Sequence, residues 1–517
     1  MKSKAISKAL VIGLISSLAI TSLVACTSKT ETPSTGDSAT NAPATNAQTK
    51  KTFSMMAESA ATWPYSKDWL IWKLIGEKTG VTIDMQVPAG KSEDTINLNV
   101  ASGNMPDITF MMNLTLANKY GQQGALANIL DYKDQMPNFK KWMEKYPDIT
   151  KANIAADGKM YLFPNEGFGE TNRIIWLYRE DVFKKNNLTA PKTYDELYTV
   201  LKKLKELYPK SYPLTFRTGS NGGILNHLSP NFATNEGYYM DEASKEVKYG
   251  PVEDNYKTMV SYLSKFYKEG LIPPDWLTLE TKQWQDQMST DQAFITIDYI
   301  GRIDFFNKAL RKDNPSYNLA FMAPPAGIPG GKQQNPYTQI VESGMTVSSK
   351  SKNVKDVMQF IDFFYSEEGK NIASWGKEGE TYTLDAGKKK MKTDFIDVAD
   401  LRKKTGLATN GTYTWIDYDA HLSMATPELQ AAYVEARKFD GPYRPQPSYN
   451  EKEFELLSTV GTAIDKNRNE SIAKFILGTT SMDDWAKYVD GAKKLGVQQI
   501  IDTYKAAKAR ASNVNLK

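Results

Sequence analysis

A single cysteine in 517 residues leaves this chain no disulfide framework and no cysteine set for a zinc or iron–sulfur site. Its fold must therefore be held by hydrophobic cores alone. The place of that cysteine, Cys26, narrows matters further. Lys2, Lys4 and Lys8 precede an apolar run over residues 9–20, long enough for the core of an export signal and too short for a mature membrane span. Residues 1–25 read as a signal peptide. Residues 27–49 are mostly Thr, Ser, Ala, Asn and Pro, with scarcely an apolar side chain larger than alanine, a composition that cannot offset the entropy of ordering. Residues 26–51 are accordingly a disordered tether, and the globular body starts near Phe53. No later stretch reaches 18 apolar residues, so the body does not re-enter a bilayer.

Charge excludes one large class of functions. The 64 Lys and Arg exceed the 60 Asp and Glu by only four, and removal of the signal segment leaves the remainder near +1. That is no footprint for a nucleic-acid binder, and none is expected as a partner. Two histidines, His227 and His421, offer little imidazole chemistry, whereas 10 Trp and 28 Tyr offer many flat apolar faces. No cofactor is implied: residues 327–331 carry a proline where a phosphate cradle needs backbone donors, and Gly-Lys-Ser/Thr is missing. Asp417, Asp419 and His421 cluster within five residues, but without a further histidine or cysteine they read as solvated loop groups, and no metal is expected.

Periodicity places the elements. Leu70, Ile71, Leu74 and Ile75 follow helical spacing over 69–79, and Gly80 closes that helix. Val81, Ile83, Met85 and Val87 alternate as in a strand, and a helix at 96–101 and a strand at 106–110 come next. Alternating helix and strand predicts an α/β lobe. Thr193 and Glu196 have capping-box spacing ahead of Leu197, Leu201 and Leu204, which predicts a helix over 195–208. Further helices are predicted at 253–267, 354–365, 428–438, 451–466 and 482–489, so the C-terminal third is helix-rich. Short apolar strands at 293–297 and 344–347 predict that the chain crosses between two lobes more than once.

Several motifs resemble known proteins. Leu23-Val24-Ala25-Cys26 resembles the lipobox of bacterial lipoproteins, which implies lipid attachment at Cys26 and a membrane anchor. Ala101-Ser102-Gly103-Asn104-Met105-Pro106-Asp107-Ile108 resembles a signature of bacterial extracellular solute-binding proteins of family 1, the carbohydrate receptors of ABC importers. Gly124-Ala125-Leu126-Ala127-Asn128-Ile129, Asp157-Gly158-Lys159-Met160-Tyr161, Trp176 to Asp181, Pro191 to Leu197 and Trp375 to Tyr382 agree in order. The resemblance implies an α/β, two-lobed periplasmic-binding-protein-like fold with a multi-strand hinge. It implies no enzyme, an oligosaccharide ligand held in the cleft, ABC permease subunits as partners, and a monomer outside the cytoplasm. The long tether favours a Gram-positive cell surface. The expected lobes are 52–172 plus about 293–345, and 173–292 plus about 346–517. Many large members carry a calcium loop after the capped helix. Here that place reads Glu206 to Pro213 with no run of oxygen ligands, and no calcium is expected there.

A sugar receptor needs aromatic faces for C–H faces and planar donors for hydroxyls or carboxylates. Trp176 and Tyr178, on a strand predicted at 174–178, are candidates for the cleft wall, with core packing the rival reading; Arg179 has Glu180 and Asp181 beside it as local partners. Trp276 and Trp284 lie in polar segments and resemble the family's sugar platforms. Tyr299 and Arg302 follow a predicted strand. Trp375, Glu378 and Tyr382 belong to a W-G-x-E-G pattern whose glycines could instead shape a turn. Asn410 and Trp415 form another aromatic loop, and Arg217 either meets an acidic sugar or bridges the lobes. Two rival functions use similar clefts: a secreted glycoside hydrolase, and an adhesin or sensor that binds carbohydrate without transport.

Overall fold

A computed structural model describes residues 50–166, 173–217, 223–336, 340–442 and 444–512. The signal segment, Cys26 and most of the tether lie outside the described residues. Residues 49–517 form one compact unit. Among the described residues thirteen strands run along it: β1 Lys51–Met56, β2 Val81–Gln86, β3 Ile108–Met111, β4 Phe163–Glu166, β5 Ile174–Arg179, β6 Leu214–Phe216, β7 Tyr238–Met240, β8 Val247–Tyr249, β9 Ile295–Tyr299, β10 Leu319–Met322, β11 Ile340–Val347, β12 Tyr382–Asp385 and β13 Lys388–Met391. The first sheet has the order β2-β1-β3-β11-β4 and the second β10-β5-β9-β6, while β7/β8 and β12/β13 are hairpins. β1 pairs parallel with both β2 and β3, and β11 returns antiparallel between β3 and β4. In the second sheet β6 and β9 are parallel, with β5 antiparallel to β9 and β10 antiparallel to β5.

Local sequence explains the elements that frame these sheets. The helix Leu70–Thr79 ends on Gly80 at φ 69°, a left-handed conformation that glycine adopts without steric cost. In Tyr194–Leu207 the residues Tyr194, Leu197, Leu201 and Leu204 fall on one stripe, each at most 1% exposed. Thr193 accepts from the Glu196 N–H at 3.2 Å, and the Glu196 carboxylate accepts from the Lys192 N–H rather than from Thr193, one residue upstream of the usual box. Beyond the predicted 451–466, helical structure continues to Leu477 through a π-turn at Leu457–Gly461.

Each sheet has its own core. Phe53, Ile108, Phe163 and Met345 of the first sheet pack with Phe360, Phe364, Trp375 and Leu401, with the Phe53 and Phe360 rings edge to face at 5.8 Å. The second sheet packs Trp176, Phe216, Ile295 and Met322 with Tyr256, Leu263, Phe475 and Trp485. This partition corrects the expected lobes. The strand near residue 295 joins the second sheet, because β9 pairs with β5 and β6 on its two sides. Likewise, β10 pairs with β5, and only β11 of the 293–345 segment crosses to the first sheet. The helices Val354–Phe364 and Glu367–Trp375 bury their apolar faces on the first sheet, not the second. The tether also ends earlier than expected: Lys51 already donates its N–H to the Gly80 carbonyl and pairs with Val81 in β1.

Between the sheets the chain passes from β4 to β5 and from β10 to β11. The second of these links is tied to the segment after the helix Pro427–Ala436, where Asn335 donates to the Phe439 carbonyl at 2.7 Å and accepts from the Gly441 N–H at 2.9 Å. Arg173, 3% exposed at the start of β5, makes a two-pronged ion pair with Asp440.

Candidate functional site

In an open α/β sheet whose first strand is flanked on both sides by later parallel strands, a crevice forms at the carboxyl ends. β1 between β2 and β3 meets that condition, so the crevice opens beyond Met56 and Met111. Two loops stand there. Trp63 follows β1, and the Arg402 guanidinium, on the helix Val398–Thr405, lies 4.9 Å from its ring centre. Asn410 donates to the sulfur of Met112 at 3.7 Å, just beyond β3, and Met112 is 51% exposed. Gly411 has φ 85°, and a Cβ there would lie 2.1 Å from the Met55 methyl, so glycine lets this loop sit directly on the end of β1.

The second sheet supplies the facing edge. β6 and β9 end at Phe216 and Tyr299, and Tyr299 pairs with Ile174 at the start of β5, next to the hinge. Tyr299 is one of few large aromatic side chains that stay open, at 38% exposure. Arg217 and Arg302 flank it, with guanidinium carbons 5.2 Å and 5.8 Å from its ring centre. Both bond Asp298, a carboxylate only 2% exposed. Burial works against the Arg217 charge, yet Asp298 and Tyr299 hold its pKa above the ordinary value. Arg402, from the first edge, is within electrostatic reach of Tyr299, and its own burial pushes its pKa down.

Both histidines are electrically quiet here. Burial pushes His227, near Asp298 and Arg217, down to about 4, and burial together with Arg402 pushes His421 down to about 3. These values lie below the unfolded imidazole value, so the folded chain binds fewer protons and its stability is complete only above about pH 6.5. Acidification from there toward pH 4 should cost at most about 1.4 kcal/mol per pH unit for each histidine. Thermal melts across that range should show this loss, and His227→Asn should flatten the profile.

The other predicted residues are placed differently. Trp176 is 1% exposed, edge-on to Tyr194 at 6.1 Å, and Tyr178 packs its ring on Phe183 at 5.0 Å, so the strand's shared face is core rather than cleft. Arg179 is 1% exposed, bonded by two nitrogens to Asp181 and by a third to Asp291, and lies over Tyr317 at 4.0 Å; it is a structural ion pair. Trp276 is 1% exposed against Phe216. Trp284 is fully buried, with its indole N–H on the Thr296 hydroxyl at 2.9 Å. Trp375 and Tyr382 meet edge to face at 5.7 Å inside the first core, and the Trp375 indole donates to Asp417. Glu378 is exposed on the turn that Gly376 and Gly379 shape through φ of 76° and 80°. The Trp415 ring is covered by Lys370 at 4.0 Å and Lys145 at 5.0 Å. One partner of Arg217, Asp298, lies in the adjacent strand of the same sheet. Of the predicted residues, Tyr299, Arg302 and Arg217 come together at the second edge, and Asn410 stands at the first.

Trp63 and Arg402 were not legible as site residues. A strand assignment over 51–56 would have placed Trp63 in the loop just past its carboxyl end; nothing in the pattern of 398–405 marks Arg402.

Comparison with known proteins places the fold. The family model described as bacterial extracellular solute-binding protein matches residues 54–371. The fructooligosaccharide ABC transporter substrate-binding protein FusA of Streptococcus pneumoniae is 27% identical over 440 residues, covering 78% of each chain. The polygalacturonan/rhamnogalacturonan-binding protein YtcQ of Bacillus subtilis is 25% identical, covering 84% of this chain and 87% of that one. The crystal structure of alginate-binding protein AlgQ2 without calcium ion superposes with a TM-score of 0.76 at 25% identity, covering 89% of this chain and 98% of that one. A calcium ion does not suit residues 206–213 of this chain: the Lys205 ammonium donates to the Ser211 carbonyl at 2.6 Å and lies over the Tyr212 ring. Among the described residues no cluster of three acidic or imidazole groups is arranged for a metal, and no helix is long and apolar enough to cross a membrane. With two sheets joined by a hinge, two facing carboxyl edges and a family match over more than half its length, the chain belongs to the bacterial extracellular solute-binding proteins.

Proposed function

We propose that this chain is a lipid-anchored, non-catalytic receptor that holds an oligosaccharide between its two carboxyl edges and delivers it to an ABC permease. The observation that carries this reading is Tyr299, an open aromatic ring at the carboxyl edge of the second sheet with guanidinium donors on either side. A sugar stacks its C–H face on such a ring while its hydroxyls take the planar donors. The relatives named above are described as binding fructooligosaccharides, polygalacturonan or rhamnogalacturonan, and alginate, so chains of this fold serve several saccharide polymers. Asp298, the carboxylate beside Tyr299, is engaged by two arginines, an arrangement that reads as an ion-pair support for the ring rather than as one member of a catalytic carboxylate pair. Closure of the lobes on the sugar would create the form that the permease reads. The lipobox at Cys26 and the polar tether would hold this receptor, a monomer, at an outer membrane surface.

A thermal-shift panel of oligosaccharides on residues 49–517 tests the reading, because a ligand that binds only the native state raises the melting temperature. A rise of several degrees with one class of glycan is expected. No shift with any glycan, on protein shown to be folded, would overturn it.

A further inference from the structure

A cleft of about 340 Å³ lies on the flank of the second sheet, between the helix Thr462–Leu477, the helix Ile224–Leu228 and the turn at Trp276. Its place is beside β6, the outermost strand, since Trp276 packs its ring against Phe216. Neither Tyr299 nor the arginines beside it line this cleft. Leu225, Trp276, Ile472 and Ile476 form an apolar wall, and all four belong to the core of the second sheet or pack against it. The cleft is therefore complete without any closure of the lobes. Trp276 is 1% exposed, and its indole N–H has no hydrogen-bond partner among the described residues, a donor that a ligand acceptor would satisfy.

The polar end of the cleft holds Arg468 and Glu236. The guanidinium is engaged: Nη1 donates to the Glu236 main-chain carbonyl at 3.1 Å and pairs with Asp465 at 3.2 Å, while Nε donates to the Asn469 side chain at 3.0 Å. The Glu236 carboxylate is in a different state. Burial pushes its pKa above the ordinary value and Asp465 adds to the push, whereas Arg468 and the Asn226 backbone N–H pull it down. Two carboxylates and one guanidinium leave an excess of one negative charge here, partly withdrawn from water. A charge so placed gains most from a cation that can also leave water. An inorganic cation gains nothing from the aliphatic wall, but an ammonium on an aliphatic body uses both halves of the cleft.

We propose that this cleft binds a small organic cation, a primary ammonium on an aliphatic body, with the ammonium on Glu236 and the body against Leu225, Ile472 and Ile476. It is a second ligand site, available whether the lobes are apart or closed, and it does not depend on the oligosaccharide reading.

The test is saturation-transfer NMR of the detergent-solubilised full chain with two probes. Leucinamide carries an ammonium beside an isobutyl group; N-acetylleucinamide has the same body and no charge. Leucinamide is expected to bind with a Kd of about 1 mM or tighter, and the acetylated probe at least about tenfold more weakly. Glu236→Gln is expected to weaken leucinamide about tenfold and leave the acetylated probe unchanged. Ala473→Met, which narrows the cleft from the helix Thr462–Leu477, should weaken both probes. No saturation transfer with leucinamide at about 10 mM overturns the proposal, as does equal binding of the two probes. So does a Glu236→Gln protein that melts as wild type does and binds leucinamide equally well. If Glu236→Gln does not fold, the two probes on wild type and on Ala473→Met decide the matter. None of these outcomes bears on the binding of oligosaccharide.

Discussion

Trp284→Ala is expected to destabilise the protein by about 3–5 kcal/mol, as truncation of a buried tryptophan does. The residue is fully buried, its ring is edge-on to Phe306 at 5.4 Å, and its indole N–H satisfies the Thr296 hydroxyl on the central strand β9. Truncation opens a cavity between the helix Thr281–Ser289 and the second sheet and leaves Thr296, itself buried, without its donor. Trp284→Phe keeps most of the packing and loses the hydrogen bond, so a smaller cost of about 1 kcal/mol is expected. Denaturant midpoints of the three proteins decide the matter. A Trp284→Ala protein as stable as wild type but deficient in sugar binding would restore the platform role that the sequence suggested and contradict its place in the core.

The opposite pattern is expected at Tyr299. Its ring is 38% exposed, so Tyr299→Ala should change stability by less than about 1 kcal/mol. Sugar affinity should fall on the order of ten- to a hundredfold, the effect of losing a central aromatic anchor. Tyr299→Phe keeps the stacking face and should retain most of the affinity. Paired titrations and melts on these variants separate a ligand contact from a packing residue. Unchanged affinity in Tyr299→Ala would move the sugar away from this edge.

The contrast between these two aromatics shows where sequence reasoning reaches. Helices with a complete local code were legible, as in the stripe of Tyr194, Leu197, Leu201 and Leu204 behind its Thr193 cap, or the glycine stop at Gly80. Trp284 was misread because Gln283, Gln285, Asp286 and Gln287 make its segment polar on average, whereas Trp284 and Met288, one turn apart, form the single buried stripe. Trp276 was misread for a similar reason: it is buried through a tight turn, with its backbone N–H on the Pro273 carbonyl, and has no periodicity to announce it. The lobe boundaries failed for another cause. The apolar runs at β9 and β11 look alike in sequence, and pairing with strands more than a hundred residues away decides which sheet each joins. Tyr299 was legible because it closes an apolar strand and is followed by Gly301 and Arg302, a break in pattern at a strand's carboxyl end. Arg402 was not, since a lysine- and arginine-rich helix end ordinarily points to solvent, and the Trp63 ring against its guanidinium comes from far away in sequence.

The central claim is that an oligosaccharide is held between two carboxyl edges that close on it. Small-angle scattering of residues 49–517, recorded without ligand and with a glycan shown by calorimetry to saturate the same sample, tests this most directly. The account predicts a smaller radius of gyration in the saturated protein. An unchanged radius at full saturation would contradict it and place the sugar on one lobe alone.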